Sequence, residues 1–201
     1  MGRGLHPIKP DSDSGRLSQN PDLLEIYNRL YAAFGPQHWW PAKSRMEMIV
    51  GAILTQNTSW KNVEKALAAL KAESVLSPKA LFAIPQIKLA CLIRSSGFFN
   101  LKAKRVKAFM TFLFEGYGGS LNRMFSEEPS LLRSKLLSVK GLGPETVDSI
   151  LLYAGGVPYF VVDAYTQRIF SRHHFIEKNS SYEIVQDFFM HHGLAGKLEK
   201  P

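Results

Sequence analysis

Cysteine is nearly absent from this chain: Cys91 stands alone among 201 residues. A single thiol closes no intramolecular disulfide, builds no zinc site of several cysteines and holds no four-thiolate iron–sulfur cluster, so no cofactor and no cluster is expected. Long apolar runs are missing as well. Nothing approaches the roughly 20 uninterrupted apolar residues of a membrane span, and the N-terminus lacks the apolar stretch of a secretory signal, so a soluble, cytoplasmic protein with no membrane partner is expected. Strand alternation is confined to Tyr159 to Val162. Negative charge is in short supply too, with 17 Asp+Glu against 25 Lys+Arg and a formal net charge of +8. Such an excess concentrates polyanions at a surface, and nucleic acid is the first candidate partner beside a generic basic surface.

What the chain does have is helical periodicity. Residues 1–20 are polar and rich in Gly, Pro and Ser, with no periodic apolar face, and read as a disordered tail. From Pro21, the positions Leu23, Leu24, Ile26, Tyr27, Leu30, Tyr31 and Phe34 recur at helical spacing until Gly35-Pro36 closes the segment. Further helical runs are expected near 44–55, 59–72, 86–94, 101–115, 129–139, 144–154, 163–173 and 181–191, with Ser77-Pro78, Gly97, Gly116 to Gly119 and Gly155-Gly156 as breaks. The expected fold class is all-α, built of short helices packed pairwise.

One stretch concentrates the chemistry. An apolar segment ends at Val139, Lys140-Gly141-Leu142-Gly143 follows, and Pro144 opens another helix. Free backbone N–H groups at such a junction favour an anion, and the two glycines permit left-handed angles and close approach by a partner. Thr146 can add a hydroxyl to phosphate contacts, although a plain tight turn between helices would use the same residues. Downstream, Asp163 follows Val161-Val162 and precedes a helical run. That placement suits an ordinary N-cap, and a carboxylate can serve as cap and catalyst together.

The spacing joins the two features. The chain resembles the helix-hairpin-helix DNA glycosylases of the endonuclease III superfamily, whose hairpin reads G-[VIL]-G-x-x-T/S and whose catalytic aspartate ends a V-D pair about 20 residues past the second glycine. Asp163 lies 20 residues beyond Gly143. Leu54-Thr55-Gln56-Asn57-Thr58 and Gly97-Phe98-Phe99-Asn100-Leu101-Lys102-Ala103-Lys104 resemble two further motifs of that family. The resemblance implies a two-lobed fold, with one helical domain over 44–157 carrying the hairpin and a second lobe formed by 21–43 with 158–201. The chain ends 38 residues after Asp163 in a polar, Gly-rich stretch, so the second lobe is expected to be shortened, with bare apolar faces on the first helix and on 181–191.

The resemblance also implies chemistry. Members that cleave the strand carry a Schiff-base lysine two residues after the second glycine, and Glu145 occupies that position here. A monofunctional glycosylase is therefore expected. Together with Trp39-Trp40-Pro41 and Trp60, Glu145 is similar to the 3-methyladenine DNA glycosylase III type, which implies a base pocket of Trp39, Trp40, Trp60 and Glu145 for alkylated purines. An indole face favours a cationic base over its neutral parent by roughly 0.5 to 2 kcal/mol. Core anchoring is the competing role for these tryptophans.

The implied DNA contacts are Gln56, which would fill the space of the extruded nucleotide, Asn57, Lys102, Lys104 and the hairpin residues Lys140, Gly141, Leu142, Gly143 and Thr146. The partner is then double-stranded DNA holding a damaged base, met by a monomer. His173-His174 and His191-His192 are adjacent rather than one turn apart, so no metal site is expected. A glycosylase for oxidised or mismatched bases, or a non-catalytic helix-hairpin-helix DNA-binding protein, would share much of this pattern.

Overall fold

In the computed structural model, which describes residues 23–37 and 40–191, every regular element is helical. The α-helices are α1 (Leu23–Phe34), α2 (Arg45–Leu54), α3 (Trp60–Ala72), α4 (Pro78–Ala83), α5 (Gln86–Leu92), α6 (Phe99–Tyr117), α7 (Leu121–Phe125), α8 (Pro129–Leu137), α9 (Pro144–Ser149), α10 (Ala164–Arg172) and α11 (Tyr182–Phe189). The expected tail over 1–20, Trp39 and the C-terminal stretch from 192 lie outside the described residues. Among the described residues, no helix is long and apolar enough to cross a membrane.

Helix α2 starts where Ser44 caps it, its hydroxyl accepting the Glu47 N–H at 3.1 Å, while the Glu47 carboxylate reaches back to the Lys43 N–H at 3.1 Å. That reciprocal cap frees the rest of the helix to be apolar, and Met46 through Leu54 are all buried. Around this central rod pack Val63, Ala66 and Leu70 of α3, Val106, Phe109, Met110 and Leu113 of α6, and Val147 of α9. Each fully buried large apolar side chain contributes about 1.5–3 kcal/mol, so this cluster dominates stability. A second, smaller cluster joins Leu23 of α1, Val162, and Val185 and Phe189 of α11, with Phe160 stacked on Phe189 at 3.8 Å. The outer face of α1 is bare, with Tyr27, Leu30, Tyr31 and Phe34 exposed, as is Ile184 of α11.

Four elements differ from the expectation. Helices α4 and α7 lie in stretches between the expected helical runs, because a turn and a half is too short to show periodicity. Both begin at a serine cap: Ser77 on the Ala80 N–H and Ser120 on the Arg123 N–H, each at 3.3 Å. Helix α6 runs two residues further at each end and stops at Gly118, whose φ of +61° lets the N–H groups of Gly118 and Gly119 return to Phe114 and Leu113. The run expected as one helix over 144–154 is α-helical only to Ser149, and Ile150–Ala154 widens into a π-helical turn. Tyr159 to Val162, expected to be extended, forms no regular element.

Candidate active site

The hairpin joins α8 to α9. Only one of its glycines needs a left-handed backbone: Gly141 has φ +93°, whereas Gly143 sits at φ −91° as an extended N-cap. Gly141 is also crowded, since a Cβ there would lie 2.5 Å from Cγ of Arg105. The Leu142 N–H is spent inside the turn on the Val139 carbonyl at 3.1 Å, and its side chain is buried. Leu142 therefore supports the hairpin rather than presenting a donor. Gly141, Gly143 and Glu145 keep backbone N–H groups without an acceptor among the described residues, and Lys140 is exposed beside them.

Thr146 corrects another expectation. It is buried, and its hydroxyl accepts the Gln56 side-chain amide at 2.9 Å, so it faces the protein and not a phosphate. Gln56 also donates to the Gly141 carbonyl at 3.3 Å and accepts from the Arg105 guanidinium. The turn after α2 is thus tied to the hairpin through Gln56. Its neighbour Asn57, left-handed at φ +53°, is the exposed tip.

Lys102 does not face solvent either. It is 1% exposed, with Nζ donating to the carbonyls of Leu54 at 2.9 Å and Ser96 at 2.5 Å. Burial, with Arg105 nearby, holds its pKa below the usual lysine range. It ties the C-terminal end of α2 to the short 3₁₀ turn Arg94–Ser96, and no phosphate can reach it. Lys104, two residues on, is exposed. Lys102→Met is expected to lower unfolding stability by about 1–3 kcal/mol, through two carbonyls left without a donor, with DNA affinity within twofold. Lys104→Ala should leave stability unchanged and flatten the salt dependence of DNA binding by about one unit of slope. A chemical melt and a salt titration separate the two.

Asp163 caps α10, with Oδ1 accepting the Thr166 N–H at 2.7 Å and the Thr166 hydroxyl at 2.8 Å. Its Oδ2 has no hydrogen-bond partner among the described residues and is available to a ligand. The Asp163 charge reaches two neighbours. The Glu145 carboxyl is raised above the ordinary carboxylate range by partial loss of hydration and then by Asp163, although much of the residue is exposed. Tyr153, on the π-helical turn, has its phenol raised by the same two causes in the same order.

Tyr153 also connects this acid pair to the tryptophans. Trp40 lies 5.3 Å from Tyr153 and 5.5 Å from Trp60, edge-on to the latter. Trp40 adopts φ +75°, rare for a bulky residue, and its buried indole Nε1 has no acceptor among the described residues. A Cβ on Gly51 of α2 would come within 3.3 Å of that nitrogen, so glycine makes room for the ring. The structure brings together Trp40, Trp60, Glu145 and Asp163, and adds Tyr153, which the sequence reading missed. Its signal is modest: a tyrosine eight residues, about two helical turns, beyond Glu145.

A buried polar cluster was missed entirely. Asp148 of α9 is fully buried and takes a bidentate pair from Arg133 of α8, Nε to Oδ1 at 2.6 Å and Nη2 to Oδ2 at 2.9 Å. Oδ2 further accepts the Tyr182 hydroxyl at 2.8 Å and the Gln186 amide at 2.7 Å. Burial first, and the Asp148 charge next, push the Tyr182 phenol far above its usual range, so it stays a donor. A lone carboxylate inside Val147-Asp148-Ser149-Ile150-Leu151 was the available clue.

Among the described residues, no group of three or more His, Cys, Asp and Glu is placed to hold a metal ion. Helix-hairpin-helix geometry with a carboxylate cap beyond it defines a class of DNA-repair folds, and comparison with known proteins identifies it. The model of the HhH-GPD superfamily of base excision DNA repair proteins matches residues 50–192. The chain belongs to that superfamily. It is 48% identical over 168 residues, 83% of this chain and 76% of the other, to a Methanocaldococcus jannaschii protein provisionally named a DNA repair glycosylase. Endonuclease III of Treponema pallidum is 26% identical over 157 residues, 76% of this chain and 69% of that enzyme. Among solved structures, the H. pylori 3-methyladenine DNA glycosylase bound to 1,N6-ethenoadenine superposes with a TM-score of 0.72 and 33% identity, covering 84% of this chain and 78% of that one. A non-covalent endonuclease III–DNA complex shares the fold, with a TM-score of 0.74 at 22% identity over 87% of this chain and 78% of that one.

Proposed function

We propose that this DNA glycosylase is monofunctional and hydrolyses the N-glycosidic bond of alkylated purines such as 3-methyladenine, acting on duplex DNA as a monomer and without an iron–sulfur cluster or other cofactor. The observation that carries the reading is the combination of Trp40, Trp60 and Tyr153 with the carboxylates of Glu145 and Asp163. Electron-rich rings beside two acids favour a base that carries positive charge. Trp39, the neighbour of Trp40 in sequence, is assigned to the same pocket.

The target nucleotide must leave the stack before its glycosidic bond can be reached. The free N–H groups of Gly141, Gly143 and Glu145 and the exposed Lys140 hold the backbone, while Lys104 adds long-range attraction. Asn57 stands at the tip of the turn that supports Gln56, and Gln56 enters the duplex once its ties to the hairpin are exchanged for contacts to DNA. As the C1′–N bond breaks, its electron pair returns to the base and neutralises the lesion. Oδ2 of Asp163 then faces the cationic sugar and orients the water that adds to C1′, the proton passing to the carboxylate or to solvent. A cationic base is already a good leaving group, so no strong general acid is required.

Glu145 stands where strand-cleaving relatives carry their nucleophilic lysine, and a carboxylate forms no Schiff base. Methylated duplex DNA should release 3-methyladenine, and borohydride added during turnover should trap no covalent protein–DNA adduct. An adduct would overturn the monofunctional reading. Absence of any released alkylated purine would overturn the substrate.

A further inference from the structure

The segment that delivers Asp163 belongs to no regular element, yet it is held at almost every residue. Arg133 lies over the Tyr159 ring at 5.4 Å. The Phe160 carbonyl accepts the Gln186 amide at 2.8 Å, and its ring stacks on Phe189. The Val162 N–H donates to the Tyr182 hydroxyl at 3.3 Å, and the Val162 side chain is buried in the small cluster. Two of these three polar holds, Gln186 and Tyr182, also bond to Oδ2 of Asp148, and the third, Arg133, is its ion-pair partner. Asp148 and Arg133 belong to the two helices of the hairpin.

We infer that Tyr182, through Asp148, is a positioning residue that fixes the Asp163 carboxylate against the hairpin, so that the element gripping DNA and the acid facing the sugar move as one body. The inference rests on the proposed role of Asp163. Tyr182 touches no substrate: its hydroxyl links Asp148 to the backbone N–H of Val162, the residue before Asp163, so two hydrogen bonds lead from the hairpin to the neighbour of the acid. A fully buried carboxylate with four donors has one low-energy arrangement, because rotating it strands a charge. An irregular segment pinned to it inherits that rigidity. A catalytic group displaced by about 1 Å loses about a hundredfold in rate, so such rigidity acts on catalysis and not merely on folding.

The test uses binding of two abasic-site analogues in duplex DNA, one with a cationic pyrrolidine in place of the sugar and one with neutral tetrahydrofuran. A site complementary to a cationic sugar prefers the first, and the preference depends on where the Asp163 carboxylate sits. The wild-type protein should prefer the pyrrolidine duplex at least thirtyfold, and Asp163→Asn should abolish that preference. Tyr182→Phe should reduce it at least tenfold while its affinity for the tetrahydrofuran duplex stays within twofold. Gln186→Met, which releases Phe160 instead of Val162, should reduce it in the same direction and serves if Tyr182→Phe does not fold. Full preference retained in the folded variants, with Asp163→Asn still defective, overturns the positioning role and leaves the catalytic reading intact. Preference absent in the wild type, or retained in Asp163→Asn, overturns the catalytic reading and the positioning role with it.

Discussion

Asp163→Asn is expected to lower single-turnover base release by about a thousandfold, the upper range for loss of one preorganised charge at a developing ion. The substitution is unusually clean here because asparagine caps a helix as well as aspartate does. The bonds from the Thr166 N–H and hydroxyl to Oδ1 can pass to the asparagine carbonyl oxygen, so α10 should keep its start and orientation. What disappears is the charge at Oδ2. Affinity for duplex DNA should stay within about twofold of wild type, since the hairpin and exposed lysines supply that term. Measured rates near wild type would reduce Asp163 to a cap and support a DNA-binding protein without this catalysis.

The second large effect falls on stability. Asp148→Ala removes the acceptor of Arg133, Tyr182 and Gln186 at once and leaves a guanidinium whose side chain is only 20% exposed. Breaking one side of a buried ion pair costs about 3–5 kcal/mol, and the residual access of Arg133 to water places this case near about 3 kcal/mol. A urea melt should show the midpoint falling with the slope unchanged. A loss below about 1 kcal/mol would match an exposed pair and would mean that the cluster relaxes freely.

The core of the fold was legible because its signals are periodic. Helix α2 announces itself by an uninterrupted apolar run behind a serine cap, and α8, α10 and α11 by periodic faces closed with clear stops. Helices α4 and α7 were not legible: at six and five residues they offer one serine each, and a serine before Pro78 reads equally as a break. The hairpin and Asp163 were recognisable by spacing, yet spacing does not say which hairpin groups face outward. Leu142 and Thr146 are turned inward by packing that no local pattern encodes.

Lys102 shows where composition misleads. Inside Lys102-Ala103-Lys104-Arg105 it looks like one of three surface cations, but it shares a helical face with Val106, Phe109, Met110 and Leu113 and is buried with them. Counting the period through the basic run would have found it. Asp148 is the complementary case, an acid in an apolar stretch whose partners lie 15, 34 and 38 residues away. The anomaly was visible in the sequence, whereas its partners required the fold.

The most direct test of the account is a time course on a duplex carrying a single 3-methyladenine, with each sample divided and analysed before and after hot alkali. The account predicts free 3-methyladenine accumulating with an intact strand before alkali and a break at the abasic site after it, in equal amounts. Strand breaks before alkali, or a duplex that keeps its base throughout, would contradict it.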